Sequence, residues 1–571
     1  MLTTRPALRS RLHHPPHRLL SRLVHSHSRP PPPPTHPRPP SRPPISQRLE
    51  SRLSSGRRRD GTRLLLSTFV AGAVVLFYWE EVRFFTLSLT RGMNVGLAVA
   101  MSIVDYKVLF YRIERLEKDE EGRKERHRLF TTTHTRSAVR IREALKRNGG
   151  IYIKLGQHLS SVQLVPEEWR WAMRELQDQC FPTPVDEIDA LFQSDVGAPL
   201  TSFFSNFDLI PLGVASLAQV HKAVERGTGR EVAVKIMHPN LEEFAKVDMK
   251  TTTVMLKFVK GAFPDFEFTW LGEEMEQNLP LEMDFRHEAA NAMRCRADFS
   301  GMKKTSLVIP EVIWAKKRVM LMEFIKGGRI DDLAYLKQNS IDRNEIAKEL
   351  TRIFSQMIYL NGFFHADPHG GNLLIRPAKR GSRSPHNFEI VLLDHGLYFD
   401  LPEDLRLNYA HLWLSLISPS SPKVTEERKH YAKLVGNITD EMYPVFESSS
   451  SVNSEGSSLI HAGGLDEAEA RRMRHAVVEG GLIGSIFKLL RGVPRRLLMV
   501  LKVNDLTRHL DLSLQTTHAP YRIFLIVAQY CSTAIYAEQL DSIADRYHRF
   551  GLSFSLAIDW MKAWWQHERW W

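Results

Sequence analysis

Four polar groups, far apart in the chain, have the types and spacing that chemistry on phosphate requires. The segment Phe364-His365-Ala366-Asp367-Pro368-His369-Gly370-Gly371-Asn372 sets a carboxylate five residues ahead of an amide. An apolar run, a polar insert over 376–387 and a second apolar run lead to Asp394-His395-Gly396. Phosphoryl transfer needs one carboxylate facing the attacking group, plus an amide oxygen and a second carboxylate to hold Mg²⁺ on the phosphates. Mg²⁺ takes hard oxygen ligands and shares its shell with phosphate. Asp367 therefore reads as the catalytic carboxylate, Asn372 and Asp394 as the metal pair, and ATP or ADP with Mg²⁺ as the cofactors. His365 and His369 also form an H-x-x-x-H pair, the spacing of a helical zinc site. Pro368 lies between them and keeps them off one helical face, so the metal-site alternative ranks lower.

The fourth group is a cation. Glu231-Val232-Ala233-Val234-Lys235 reads as a buried strand ending in a Lys, which needs a partner when desolvated. In kinases such a Lys neutralises the α- and β-phosphates and is held by a helical Glu. Glu288 stands in the right order for that role. Residues 319–324 (VMLMEF), followed by Gly327-Gly328, fit a strand entering an interlobe hinge, and the resemblance to kinases implies that Met322, Glu323 and Phe324 line the adenine site. A strand Lys alone is ordinarily an edge residue whose ammonium reaches solvent. The ordered set Lys235, Glu288, hinge, Asp367, Asn372, Asp394 is far more specific. No G-x-G-x-x-G precedes Lys235; Gly213-Val214-Ala215-Ser216-Leu217-Ala218-Gln219-Val220-His221 takes its place. Small residues still let backbone approach phosphates, but a single Gly makes a stiffer loop. An ordinary strand turn is the alternative for this stretch.

These groups must be positioned by two kinds of element. Around Gly227–Gly229 the chain reads as a hairpin, with strand-like runs again at 307–313 and 318–324. Helical patterns occupy 114–147, 170–179, 241–259 and 273–296, and dominate beyond Ile330 apart from a strand pair near 373–375 and 389–393. This predicts an α+β, protein-kinase-like bilobal fold with a helical N-terminal extension and a single N-terminal transmembrane helix. The expected units are a presequence and Pro/Arg-rich segment at 1–63, the span at 64–79, the extension at 80–190, a small lobe at 191–328, and a helical large lobe with C-terminal extension at 329–571. A Ser/Gly-rich stretch at 447–464 reads as a surface loop.

Composition narrows the function class. The chain has 571 residues, of which 43% are hydrophobic, enough for a substantial core. Cys180, Cys295 and Cys531 are too few for a disulfide framework and lack metal-type spacing. The formal net charge of +12 lies entirely in residues 1–63, where fourteen Arg face only Glu50 and Asp60. The body is electroneutral and gives no reason to expect a nucleic-acid partner. Residues 1–28 mix Leu with Arg and contain no acid, the pattern of a mitochondrial presequence; a basic tail without an address is the alternative. The uncharged run 64–79 (LLLSTFVAGAVVLFYW) ends in Tyr78 and Trp79, where interfacial anchors belong. Its helix would reach about 24 Å against a roughly 30 Å hydrocarbon core, so a buried soluble helix is its competitor. The apolar stretch 93–104 is too short to span and reads as membrane-lying or core. Presequence plus span is a stop-transfer arrangement, which would leave the body in the intermembrane space.

Taken together, the motifs resemble the UbiB family, the atypical aarF-domain kinases. The resemblance rests on GVASLAQVH at 213–221, K-x-G-Q as Lys154-Leu155-Gly156-Gln157, E-x-D as Glu282-Met283-Asp284, and H-x-D-P-H-x-G-N at 365–372, together covering about 149–400. It implies that Lys235 binds phosphates and pairs with Glu288, that Gly213, Val214, Ala215 and Ser216 approach the nucleotide, and that Asn372 and Asp394 ligate Mg²⁺. It further implies that Lys154, Gly156 and Gln157 lie on an extension packed over the active site, with Glu282 and Asp284 facing it. Such an extension occludes a protein substrate and favours ATP hydrolysis or a small-lipid role; a cluster that only fastens the extension is the structural alternative. Gly370 stands where the family often has Pro, and His395 where it has Phe. Presequence, span and long C-terminal region resemble the mitochondrial inner-membrane branch, associated with lipid homeostasis and ubiquinone distribution, with an isoprenoid or phospholipid as the expected ligand. A protein kinase and a non-catalytic nucleotide-switched scaffold are the competing functions. The Trp-rich tail, 556–571, reads either as an interfacial contact or as a docked or frayed end.

Overall fold

The computed structural model describes residues 79–571 apart from 118, 162–164, 178–181, 240, 265, 267–268, 420, 445, 447–491, 518–520, 551–553 and 569–571. The presequence, nearly all of the expected span at 64–79, the Ser/Gly-rich stretch and Trp570-Trp571 lie outside the described residues. Contacts divide the chain into 1–82 and 83–571, and the second unit holds the fold that positions the site.

Its N-terminal extension is helical: α1 (Trp79–Ile113), α2 (Glu120–Asn148), α3 (Ile151–Ser161), α4 (Glu167–Arg174) and α5 (Val185–Val196). Asp119 caps α2 by accepting from the Gly122 N–H at 2.7 Å. Gly149 and Gly150, at φ +68° and +53°, turn the chain from α2 into α3, a left-handed pair that side chains disfavour. The stretch 93–104 is the middle of the 35-residue α1, so the expected short segment is part of a long helix. Val95, Ala98, Ser102 and Leu109 on it are buried, while Phe85, Leu89, Met93, Leu97, Met101 and Val104 are exposed. Among the described residues, Val82–Ile113 is the one helix long and apolar enough to cross a membrane, with mean hydropathy 1.4.

The small lobe is an antiparallel sheet of β1 (Phe204–Phe207), β2 (Gly213–Val214), β3 (Ala218–Glu225), β4 (Glu231–Met237), β6 (Val312–Ala315) and β7 (Val319–Glu323), in the order β1-β3-β4-β7-β6 with β2 beside β3. Alternation along β4 sorts its side chains. Val232, Val234 and Ile236 enter a core with Ile188, Leu191 and Phe192 of α5. Ala233 and Met237 enter a second core with Leu145, Ile151 and Leu176 of the extension. Lys235 shares the parity of Ala233 and Met237, so the pleat turns it away from the α5 layer. The sheet is followed or interrupted by α6 (Leu241–Ala262), α7 (Thr269–Glu282) and α8 (Phe285–Asp298). The single helical pattern over 273–296 is thus two helices: Asp284 takes an extended conformation, ends α7 and caps α8 through the Arg286 N–H.

The large lobe surrounds one extensive core. It holds a small sheet, β5-β11-β10-β8, of β5 (Leu307–Val308), β8 (Gly328–Arg329), β10 (Leu373–Pro377) and β11 (Phe388–Leu392), and the pair β9 (Phe363–His365) and β12 (Tyr398–Asp400). Around these stand α9 (Leu333–Gln338), α10 (Arg343–Ser355), α11 (Glu403–Ile417), α12 (Pro422–Gly436), α13 (Arg495–Ser513), α14 (Tyr521–Phe550) and α15 (Phe554–Glu568). Residues 324–327 join β7 of one sheet to β8 of the other, the expected hinge.

Candidate active site

Lys235 is the centre of the site. On β4 it lies opposite Val220 of β3 and Met320 of β7. Its Nζ donates to Glu288 Oε1 at 2.5 Å and meets Asp394 Oδ1 at 3.3 Å. Asn372 extends the cluster, its Nδ2 reaching the Asp367 carbonyl at 3.3 Å and Asp394 Oδ2 at 3.5 Å. Residues 137 and 159 positions downstream of Lys235 are therefore brought to it by two short strand pairs and one helix.

His365 organises the loop. Its Nδ1 accepts from the Asp367 N–H at 2.8 Å, so its Nε2 carries the proton donated to the Asp394 carbonyl at 2.9 Å. With both nitrogens committed it is unavailable to a metal. His369 in turn accepts from the Gly371 N–H. Among the described residues no cluster of three His, Cys, Asp or Glu could hold a metal ion. His395 replaces an aromatic without breaking the loop. Its Nε2 donates to the Leu392 carbonyl and its Nδ1 accepts from Tyr398 Oη at 2.9 Å. Burial, then His365, pushes its pKa down to about 3, so a neutral ring fills the position.

The carboxylates divide by environment. Burial drives Glu288 up to about 7, only partly offset by Lys235. Asp394 is buried too, but Lys235 first and then Glu288's hydrogen bond hold it well below the carboxylate range. Burial would also raise Asp367, yet Lys502, Lys154 and His369 hold it low. The donor set fits Mg²⁺: Asp394 is an ionised oxygen ligand, and Asn372 uses its nitrogen within the protein, which leaves its Oδ1 for a cation. Bound there, Mg²⁺ would neutralise phosphate charge. Lys235 would supply a second positive charge there, and Asp367 a carboxylate able to orient an attacking hydroxyl.

The extension closes over this cluster. Lys154 of α3 pairs with Glu282 at the end of α7 at 2.7 Å, Glu282 buried and Lys154 largely so. Burial opposes the charge on Lys154, but Glu282, Asp367 and Asp394 hold it protonated, so its ammonium feels the Asp367 carboxylate as well as its partner. Asp284 does not join it: its carboxylate binds Arg286 at 2.6 Å and caps α8, so the expectation that both E-x-D acids face Lys154 holds for Glu282 alone. A capping position needs an acceptor at the first turn, and Asp284 meets that need locally. Gly156 touches the core so closely that a Cβ would lie 2.2 Å from Leu176 Cδ1. Gln157 donates to the Leu176 carbonyl at 3.2 Å and accepts from Ser216 Oγ at 3.4 Å. Ala215 N–H bonds the Ala218 carbonyl at 2.8 Å, and His238 Nε2 donates to the Ala215 carbonyl. The loop at 213–217 is therefore a pinned turn on β2 and β3, stiffer than a Gly-rich one. At the hinge, Glu323 Oε2 accepts from the Glu311 N–H, and Lys222 lies over the Phe324 ring at 4.9 Å.

The family model for the ABC1 atypical kinase-like domain matches residues 175–428. ABC1 family protein MCP2 of Saccharomyces cerevisiae is 39% identical over 86% of this chain and 87% of its own length. The MCP2 homolog of Schizosaccharomyces pombe is 40% identical over 84% of each. This chain belongs to the ABC1 atypical kinase-like family. AarF domain-containing protein kinase 1 of Gallus gallus is a further relative, 36% identical over 82% of this chain and 87% of its own.

One member of the site was not foreseen. Lys502 of α13 lies 3.0 Å from Asp367 Oδ1, 135 positions away in sequence. Its signal was present as a lone cation in the apolar run Leu497-Leu498-Met499-Val500-Leu501-Lys502-Val503.

Proposed function

We propose that this chain binds Mg²⁺ and ATP and hydrolyses ATP slowly at the mitochondrial inner membrane. Turnover is coupled to moving or exposing an isoprenoid or phospholipid, in support of lipid homeostasis and ubiquinone distribution. The observation that carries the nucleotide reading is the convergence of Lys235, Glu288, Asp394 and Asn372 at 2.5–3.5 Å. Hydrolysis rather than protein phosphorylation is favoured by Lys154, which stands before Asp367 where a substrate side chain would approach.

Support for the membrane is of two kinds. The leader is Arg-rich and acid-free up to residue 28 and precedes the uncharged run at 64–79. Beyond it, α1 packs one face on the domain, with Arg91 paired to Asp248 and Phe84 stacked on Phe244. Its other face presents exposed Phe85, Leu89, Met93, Leu97, Met101 and Val104 at helical spacing. An apolar stripe of that length on a helix docked by its opposite side suits the surface of a bilayer, with the body on the intermembrane-space side. Trp560, Trp564 and Trp565 on α15 are exposed as well and suit an interfacial contact.

Phosphate release by the purified chain in vesicles of mitochondrial lipid composition tests the reading. Asp394→Asn should reduce the rate at least a hundredfold, and vesicles should raise the wild-type rate above that in detergent. An unchanged rate in Asp394→Asn removes the nucleotide assignment. The second reading, a protein kinase, has the name of the Gallus gallus relative in its favour. It predicts labelled phosphate on a mitochondrial protein added in trans.

A further inference from the structure

The catalytic carboxylate is met by a helix that no motif announces. α13 belongs to the C-terminal extension, beyond residues 175–428, and is built into the large lobe by Leu497, Val500 and Val503. At its start Arg495 reaches across to α7, pairing with Glu273 and donating to Gln277 at 3.2 Å. Near its end Leu510 closes on the catalytic loop. A Cβ at Gly370 would lie 3.3 Å from Leu510 Cδ2 and equally near Asp331 Oδ2, so glycine at that place matches a helix standing over the loop. Between these ends Lys502 is largely buried and directs its ammonium to Asp367 Oδ1 at 3.0 Å.

We propose that α13 completes the catalytic centre and that Lys502 is a positioning residue, fixing Asp367 while turning its remaining N–H donors toward the phosphoryl group in transfer. This rests on the phosphoryl-transfer reading given above. An ammonium has three donors, and one carboxylate oxygen uses one of them. Burying a cation is costly unless it is paired, and a structural tether at this point could have been a methionine. In hydrolysis the water oxygen bonds to the γ-phosphorus. The bond from that phosphorus to the bridging oxygen breaks, its electron pair leaving with ADP, and the water's proton departs through Asp367 to solvent. Lys502 makes and breaks no bond. It holds the Asp367 carboxylate in one orientation and offsets charge on the equatorial oxygens, where preorganised donors act most strongly. The catalytic loop itself carries no Lys or Arg beside Asp367. Lys154, paired with Glu282, already has a carboxylate of its own.

The test uses the full chain in vesicles with MgATP. Lys502→Met keeps the apolar stem and removes the charge. It should lower kcat about tenfold to a hundredfold, in line with the loss of one preorganised donor. KM for MgATP should stay within about twofold and MgADP should still raise Tm, because the nucleotide is held by Lys235, Asn372 and Asp394. Lys502→Arg should recover most of kcat. Arg495→Gln, which releases the other tether of the same helix, should leave kcat unchanged. Wild-type kcat in Lys502→Met beside an inactive Asp394→Asn overturns this inference alone. So does a faster Lys502→Met, which would make the lysine a plug, or an equal loss in Arg495→Gln, which would make α13 a strut. A wild-type rate equal to that of Asp394→Asn overturns the phosphoryl-transfer reading, and this inference with it.

Discussion

Gly156→Ala tests whether the extension is clamped by close packing or merely rests on the lobe. A Cβ at this position would stand 2.2 Å from Leu176 Cδ1 and 3.4 Å from Leu145 Cδ1. Ordinary carbon contacts begin near 3.5 Å, so Leu176 must withdraw by more than an ångström. It is 1% exposed and shares a core with Leu145, Ile151 and Met173, so a rotamer change finds no empty space. Overpacking of this kind costs about 1–3 kcal/mol, the glycine-to-alanine gain in helix propensity returning roughly 1 kcal/mol of it. Leu176 also offers the carbonyl that holds Gln157, and Gln157 holds Ser216 of the nucleotide loop. The substitution should therefore lower Tm by a few degrees and loosen the loop, read as faster exchange of the amides at 213–217. Leu176→Ala in the same chain makes room for the new methyl. A double-mutant cycle should show at least about 1 kcal/mol of favourable coupling between the two sites. Additive effects, or a Gly156→Ala protein as stable and as protected as wild type, would refute the packing argument.

Two further outcomes follow from the charges behind the cleft. Glu282→Gln leaves Lys154 buried without its nearest carboxylate and should cost stability near the lower end of about 3–5 kcal/mol, because Asp367 and Asp394 still face it; urea unfolding of Glu282→Gln against a Lys154→Met/Glu282→Leu pair, expected near wild type, checks this. His158 on α3 is pushed down to about 3 by burial, Lys154 and Lys502, with the Lys154 carbonyl and Asp367 opposing. Its depressed folded value means that the unfolded chain takes up the proton first. Its contribution is thus complete above about pH 6.5 and lost as the pH falls toward 3, amounting to about 1–2 kcal/mol at pH 5 for this partly exposed ring. His158→Gln should flatten that part of the decline in the urea midpoint between pH 7.5 and 5. The slope left by the neutral His365 and His395 has the same sign.

Much of this site was legible because phosphate chemistry fixes residue types in order along a chain. Lys235, Glu288, Asn372 and Asp394 meet as their motifs implied, since each sits on a short strand or helix whose pattern is local. The hairpin of β3 and β4 was legible from alternation closed by Gly227 and Gly229. What escaped was decided by neighbours that sequence order does not name. The pattern over 273–296 runs on as one helix, yet Asp284 breaks it because a cap satisfies the first amides of α8 better than continuation does. The same cap diverts Asp284 from Lys154. The 93–104 stretch looked short because Arg91 and Asp105 flank it, and both are neutralised by partners on other helices, Asp248 for one and Arg140 for the other. Lys502 lay beyond reach for a related reason: its partner is on a loop more than a hundred residues away, and helical periodicity says only that a face is buried, not against what.

On the nucleotide reading proposed above, the three lysines of the cleft imply that a nucleotide would rearrange the site rather than simply fill it. In the structure each ammonium is already matched: Lys235 to Glu288 and Asp394, Lys154 to Glu282, Lys502 to Asp367. A triphosphate with Mg²⁺ at this site would compete for Lys235 and for Asp394 at once, so that pair would have to part. Glu288, which already holds Lys235 at 2.5 Å, would keep it, and phosphate would balance the loss of Asp394 from the ammonium. Lys154 has no such exchange to make while Glu282 holds it, and it stays before Asp367. Lys502 would need no exchange at all, because one N–H donor stays on Asp367 while the others are left for an incoming phosphoryl oxygen. Such exchanges would make the nucleotide end of the cleft adaptable and leave its mouth fixed, an arrangement that would suit the slow turnover of ATP proposed above better than the entry of a protein side chain.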